Sequence, residues 1–216
     1  MKKQLINIAT IAFIAMGAIS CKDGKKAEAT DAKPVEEVAV AEKFKAVPAQ
    51  TMIMWDADKL VGGHEGTINA SNGVVEIKGN KLVGGNFIFD INTIKCSDLE
   101  KEEENAKLIG HLKSEDFFDV ANHPNGAFEI TGVTEEDGKS IISGNLTLKG
   151  IKKNITFPAT VSVNGNTATI TSDEFNIDRT EWGINYNSGK FKPAKELGDY
   201  LIKDNVGIKV NVTASK

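Results

Sequence analysis

The side chains best equipped for chemistry in this chain are few and far apart. His64, His111 and His123, with Cys21 and Cys96, make up its whole complement of imidazoles and thiols. No His-x-x-x-His or Cys-x-x-Cys spacing joins them, so no metal centre is expected, and each histidine reads as a hydrogen-bonded or surface group. His64 lies in Gly62-Gly-His-Glu-Gly66, which reads as a pocket rim or a bulged strand. Cys96 reads as a buried thiol just ahead of a helix. Gly-x-Ser-x-Gly, Gly-x-Gly-x-x-Gly and P-loop motifs are absent, and none of the many carboxylates forms a pair to which acid and base roles can be assigned. The acidic run Asp98 to Glu104 points around a helix rather than toward one ion, and reads as a solvated helix start.

Arg179 is the most distinctive residue, the one arginine in a chain that otherwise uses lysine. It stands between Asp178 and Glu181 and beside Trp182. A guanidinium offers a rigid fork of donors and stacks on an indole, which an ammonium does not reproduce. The plain reading is a structural ion pair with Asp178 or Glu181.

The elements that must position these groups begin after an address. Residues 1–20 carry two lysines and then a mostly apolar run from Leu5 to Ile19, the order of a secretory signal peptide and too short for a comfortable membrane span. Ala18-Ile19-Ser20-Cys21 resembles a bacterial lipobox, with alanine where leucine is usual; ordinary cleavage leaving a free thiol is the alternative. A diacylated Cys21 would anchor the chain through lipid alone. Residues 21–48 read as the lipidated cysteine and a flexible tether rich in Ala, Lys and Glu. Lys22, where aspartate would favour retention in the inner membrane, points to the outer membrane, facing the periplasm or the cell surface.

From Ala49 to Lys216 the pattern is β. Val206, Ile208, Val210, Val212 and Ala214 alternate with polar residues or glycine, and Ile155 to Val163 and Ala127 to Val133 behave alike. Turns are expected at Ser71-Asn72-Gly73, Glu136-Asp137-Gly138 and Asn164-Gly165-Asn166. Nine such runs suffice for a sandwich or barrel, and closure would remove exposed edges. One helix interrupts them, with Ser97 and Glu100 as a capping box and Gly110 as its stop. Ser114 then caps a turn that presents Phe117 and Phe118 inward. The domain holds 24 acidic against 18 basic side chains. A pI near 5.5 and a single arginine argue against nucleic acid as a partner.

Gly110-His-Leu-Lys-Ser-Glu-Asp-Phe-Phe-Asp119, Pro124, Phe128, Gly144-Asn-Leu-Thr-Leu-Lys-Gly-Ile151, Phe157-Pro158 and Phe175-Asn-Ile-Asp-Arg-Thr-Glu-Trp-Gly183 resemble the YceI-like family of lipocalin-like proteins. The resemblance runs in order from Thr51 to Ser215. It implies a mainly β fold, an antiparallel barrel of about eight strands with a helical insertion near 98–118, wide enough to hold one small ligand. It also implies a polyisoprenoid ligand, such as an isoprenoid quinone or prenyl lipid, and no catalytic cofactor. Such a chain offers no hydrogen bonds, so its receptor must be lined by apolar side chains. The candidates are Phe87, Phe89, Ile91, Phe128, Ile130, Ile142, Leu146, Leu148, Phe157, Phe175, Ile177 and Trp182, each of which could equally fill a solid core. Arg179 is expected at or under the pocket end, orienting a head group or closing the barrel, so that Arg179→Lys folds but retains lipid less well. The expected partners are an apolar lipid, the membrane through Cys21 and, as an open alternative, a second copy of the chain. Two rival functions stand beside carriage or sequestration: an enzyme modifying such a lipid with His64, His111 or Asp178, and a ligand-free surface or assembly protein of the envelope.

Overall fold

The computed structural model describes residues 25–35 and 40–216; the expected signal segment and Cys21 lie outside them. In chain order the strands are β1 (Lys25–Lys26), β2 (Thr30–Asp31), β3 (Glu42–Ala46), β4 (Met52–Lys59), β5 (Gly63–Lys78), β6 (Lys81–Asp90) and β7 (Lys95–Cys96), then β8 (Asn125–Glu136), β9 (Lys139–Leu148), β10 (Ile151–Asn164), β11 (Thr167–Ser172), β12 (Phe175–Asp178) and β13 (Ile202–Ser215). Helix α1 (Glu102–Lys113) sits between β7 and β8, and the four-residue α2 (Ala194–Leu197) precedes β13. Eight strands close an antiparallel ring in the order β4, β5, β6, β8, β9, β10, β11, β13 and back to β4. Closure pairs every long strand on both sides, which removes the edge along which such a sheet would otherwise aggregate.

The ring closes because the apolar faces agree in register. Ile170 lies opposite Val212, and Ala168 opposite Ala214. Phe87 lies opposite Phe128, and Phe128 opposite Leu146. Three hairpins turn through two residues that are both at positive φ: Gly79-Asn80, Asp137-Gly138 and Lys149-Gly150. That mirror-image turn matches the twist of the strands it joins, and its geometry favours Gly, Asn and Asp.

Three boundaries differ from the sequence reading. The expected turn at Ser71-Asn72-Gly73 is a bulge inside one continuous strand, with a register shift between Ala70 and Asn72 against β6. Burial continues on both sides of it, from Ile68 and Ala70 to Val75 and Ile77, so the strand shifts its face by one residue rather than reversing. The expected capping box is not formed: α1 starts at Glu102, Lys101 before it makes no side-chain cap, and the helix continues past Gly110 to Lys113. Ser97 instead donates its hydroxyl to the Glu65 carbonyl at 3.2 Å, and its N–H to the same carbonyl, which ties the pre-helix segment to β5. Glu102, Glu103 and Glu104 still occupy the first turn, where the helix dipole favours them.

The third difference is the start of the β domain, whose sheet begins before Ala49 although the closed ring begins at β4. Phe44, the one aromatic of the expected tether, is fully buried on β3, which pairs with both β5 and β13. Lys216 places its ammonium 5.1 Å from the centre of that ring. Further upstream, β1 runs parallel to β12 and β2 antiparallel to β10, so residues 25–31 fill the seam where β10 and β12 diverge. Ala27 is buried there, and Asn145 binds both the N–H and the carbonyl of Lys33. Residues 25–26, 30–31 and 42–46 of the expected tether are therefore paired backbone, because the barrel wall offers donors and acceptors that a polar segment can satisfy.

The two ends of the barrel are unlike. One carries the tight turns at Gly79-Asn80, Asp137-Gly138 and Gly165-Asn166; the other carries α1 and the long connection 179–201.

Candidate functional site

The barrel is hollow. Its lumen holds a cavity of about 150 Å³ whose exposed lining is wholly apolar. Side chains from β4, β5, β6, β8, β9, β10, β11, β12 and β13 face it. Leu112 at the end of α1, with Phe117 and Phe118 of the following turn, closes it on the helical side, as the Ser114 turn predicted. Ile184 and Ile202 complete that end. A space without polar partners offers water no hydrogen bonds and stays dry.

Of the thirteen side chains named from the sequence, all but Ile91 and Trp182 line this cavity. Ile91 lies beyond the end of β6 in a short 3-10 turn, near the place where a side chain on Gly126 would sit. Trp182 is fully buried and donates its indole N–H to the Leu146 carbonyl at 3.0 Å, which makes it part of the wall. The sequence reading missed Trp55, Ile53, Ile68 and the inward face of β13, all of which line the lumen. The alternation along Val206, Ile208, Val210 and Val212 marked that face, and only the barrel's closure turns it toward the same space.

Aromatic rings set the bore. Phe157 and Phe175 stack with centroids 4.4 Å apart, and Phe128 leans on Phe157 at 5.7 Å. Phe128 fits only because Gly144, diagonally across on β9, has no side chain: a Cβ there would lie 2.1 Å from the ring's Cζ.

Arg179 lines the cavity at its helical end, but its polar atoms are spent on the protein. Nε donates to the Lys203 carbonyl at 3.1 Å, Nη1 to Ile184 at 2.6 Å and Nη2 to Ile202 at 3.0 Å. Its acidic partner is Asp204 at 3.4 Å, not Asp178 or Glu181. Burial pulls its pKa down, against the pull of Asp204 and Asp178. It thus clamps the long connection to the start of β13, and the one cation–π contact among the described residues is that of Lys216 rather than one to Trp182.

Asp178 caps the turn that carries Arg179, accepting from the Thr180 N–H at 3.1 Å and hydroxyl at 2.6 Å, and it pairs with Lys190 at 2.5 Å. Burial acts to raise its carboxyl, but the hydrogen bonds from Lys190 and Thr180 outweigh that and hold it below its ordinary value. A depressed carboxylate stabilises the fold fully above its unfolded pKa and loses that contribution as pH falls through the folded one. Asp178→Asn is therefore expected to lower stability near neutral pH and to flatten its decline below about pH 4. Urea unfolding across that range would show it; an unchanged acid limb would assign the decline to other groups.

The histidines sit outside the cavity lining. His111 Nε2 meets Asp116 Oδ2 at 3.0 Å, and its ring packs edge-on against Phe117 and Tyr186. His123 lies near Asp119, at 4.0 Å, and against Gly150. His64 has a long-range neighbourhood that its spacing did not reveal: Nδ1 is 2.9 Å from Asp98 Oδ2, and the buried Cys96 thiol is 3.0 Å from Asp98 Oδ1.

A closed eight-stranded barrel with an apolar lumen and a short helical insertion at one end defines a lipocalin-type fold. The YceI-like domain model matches residues 44–214, and the chain belongs to that family. Among relatives, a UPF0312 protein of Photorhabdus laumondii is 29% identical over 135 residues, spanning 58% of this chain and 62% of its own. Another, from Pseudomonas paraeruginosa, is 41% identical over 65 residues, 30% of this chain and 34% of that one. The matches thus span about a third to three fifths of these curated relatives. BcnA of Burkholderia cenocepacia superposes with a TM-score of 0.60 at 22% identity, covering 79% of this chain and 99% of that one. A polyisoprenoid-binding domain of Saccharophagus degradans, implicated in plant cell wall breakdown, superposes at 0.57 with 11% identity, covering 82% and 99%. At these identities the likeness is one of fold.

Proposed function

We propose that this protein binds an isoprenoid lipid, a quinone or a prenyl lipid, in its lumen and carries or sequesters it at the cell envelope. The observation that supports the reading is the lumen itself: a narrow, wholly apolar cavity bordered by stacked phenylalanines and closed by α1 at one end. Each isoprene unit buried there would contribute roughly 3 to 4 kcal/mol gross, at about 0.8 kcal/mol per carbon, before ordering costs. The polyisoprenoid-binding domain of S. degradans has the same fold, which is consistent with such a ligand. Binding is favoured over catalysis because the groups available for acid–base work are engaged away from the lining: His64 with Asp98, His111 with Asp116 and Asp178 with Lys190. Anchoring through a lipid on Cys21, in the outer membrane, belongs to the same proposal and rests on the sequence before residue 25.

Organic extraction of the purified full chain, followed by mass spectrometry, is expected to yield a stoichiometric polyprenyl species. Gly144→Val should reduce it severalfold, because the added atoms push the Phe128 ring into the bore. Protein that purifies without lipid and takes up no quinone from detergent would overturn the proposal, and a chemically altered lipid after incubation would favour an enzyme.

A further inference from the structure

His64, Cys96 and Asp98 form the one group of three potential metal ligands among the described residues; one donor atom from each lies within 4.8 Å of the others. They come from two short segments fixed to each other by backbone bonds. Gly66 pairs with Cys96 and Thr67 with Lys95 across β5 and β7. The Glu65 N–H donates to Asp98 Oδ1 at 3.0 Å, and Ser97 N–H returns to the Glu65 carbonyl at 2.9 Å. Asn105 of α1 holds the other side, its Nδ2 donating to the carbonyls of Cys96 and Leu99, both at 3.0 Å. The strand pairing, the Ser97 N–H and Asn105 therefore hold the backbone that carries the donors without using the ligand side chains, and the Glu65 N–H orients the Asp98 carboxylate.

We propose that this trio binds a zinc-class divalent cation. One sulfur, one imidazole nitrogen and one carboxylate oxygen form the donor mixture that a borderline-soft ion prefers, and three protein ligands leave a fourth, open position. Metal–ligand bonds of about 2.0 to 2.3 Å in a tetrahedron place donors roughly 3.2 to 3.7 Å apart. Asp98 already stands with Oδ2 2.9 Å from the His64 nitrogen and Oδ1 3.0 Å from the Cys96 sulfur, and with the three donors within 4.8 Å of one another, side-chain rotations of roughly an ångström would bring them onto one ion. Charge balances as well. The dication displaces the thiol proton to solvent, His64 ligates as a neutral imidazole through Nδ1 with its proton on Nε2, and thiolate plus carboxylate cancel the ion's charge. His64 and Asp98 side chains are 24% and 29% exposed, which leaves the open position facing water. A neutral complex half-sunk at the rim suits that setting. The bound ion would fix the segment before α1 to β5, at the helical end of the barrel. This site stands apart from the lumen and does not rest on what the lumen holds.

Cobalt(II) is the probe, added to the reduced full chain. One equivalent is expected to produce thiolate-to-cobalt charge-transfer absorption with visible bands of four-coordinate cobalt, both displaced by zinc. Cys96→Ala should abolish the absorption, and His64→Gln should weaken binding at least tenfold. In the unaltered chain, zinc should slow alkylation of Cys96 by iodoacetamide at least tenfold, read on the Cys96 peptide. No thiolate band, a band that survives Cys96→Ala and so belongs to Cys21, or alkylation of Cys96 indifferent to zinc would each overturn the proposal. The alkylation test needs no variant, so a substitution that impairs folding does not blunt it.

Discussion

Replacing Gly66 by alanine is expected to cost roughly 3 kcal/mol or more, beyond the usual range for an added methyl group. The new Cβ would lie 1.8 Å from the Lys95 carbonyl oxygen and 2.7 Å from Cζ2 of Trp55. The first neighbour is backbone and cannot rotate away. β7 would have to leave β5, breaking the pairing of Gly66 with Cys96 and taking with it the contacts of Ser97 and Asp98 to Glu65. For a domain of this size the melting temperature should fall by roughly 6 to 12 °C, at about 2 to 4 °C per kcal/mol. Thermal unfolding followed by circular dichroism would measure it. A shift within experimental error would mean that the two strands tolerate separation. Lipid retention should survive at temperatures where the variant is folded, since only Trp55 of the residues involved faces the lumen.

Arg179→Ala is expected to destabilise the fold by roughly 3 to 5 kcal/mol, the range for breaking a buried charged network. Three carbonyls, those of Lys203, Ile184 and Ile202, would lose their donor at once, and Asp204 its cation. Arg179→Lys is no gentle control. An ammonium on a flexible stem cannot serve three acceptors spread across two segments in the plane of a guanidinium, so about 2 kcal/mol should be lost even with the charge retained. From the sequence, Arg179→Lys is expected to fold normally and to retain lipid less well; the geometry shifts the emphasis toward stability. Urea unfolding of both variants, with lipid content measured on the folded protein, separates the roles. Normal stability with emptied lumen would restore Arg179 as a head-group contact.

The fold was legible because its signals are local. Alternation on β8, β10 and β13, positive-φ residues at Asp137-Gly138, and the aromatic Phe117-Phe118 pair after Ser114 each act within a few residues. The signal from Ser71-Asn72-Gly73 misled because turn-forming residues also form bulges, and only the partner strand decides between them. Ser97 looked like a helix cap for the same reason: its hydroxyl had a better acceptor on Glu65, thirty-two residues back. The lumen was mostly legible because inward faces follow from periodicity. Trp182 was not separable from it, since a buried indole in the wall and one in the cavity have the same neighbours in sequence. Phe44 was hidden by composition, one aromatic among lysines and glutamates, whose burial depends on a groove built by β5 and β13.

Strand β13 pairs with β11, β12, β4 and β3. Its register with β4 joins Ile208 to Trp55 and Val210 to Ile53, contacts separated by most of the domain. Such pairings set the pace of folding, since the intervening chain must be ordered before they repay the entropy of joining its ends. Docking of β13 between β11 and β4 closes the ring, so the chamber takes its shape only when residues 202–215 are in place. A chain whose residues 202–215 are not yet in place would present an open, curled sheet with its apolar side bare. Until that strand docks, the bare inner face is the part of this chain most in need of cover.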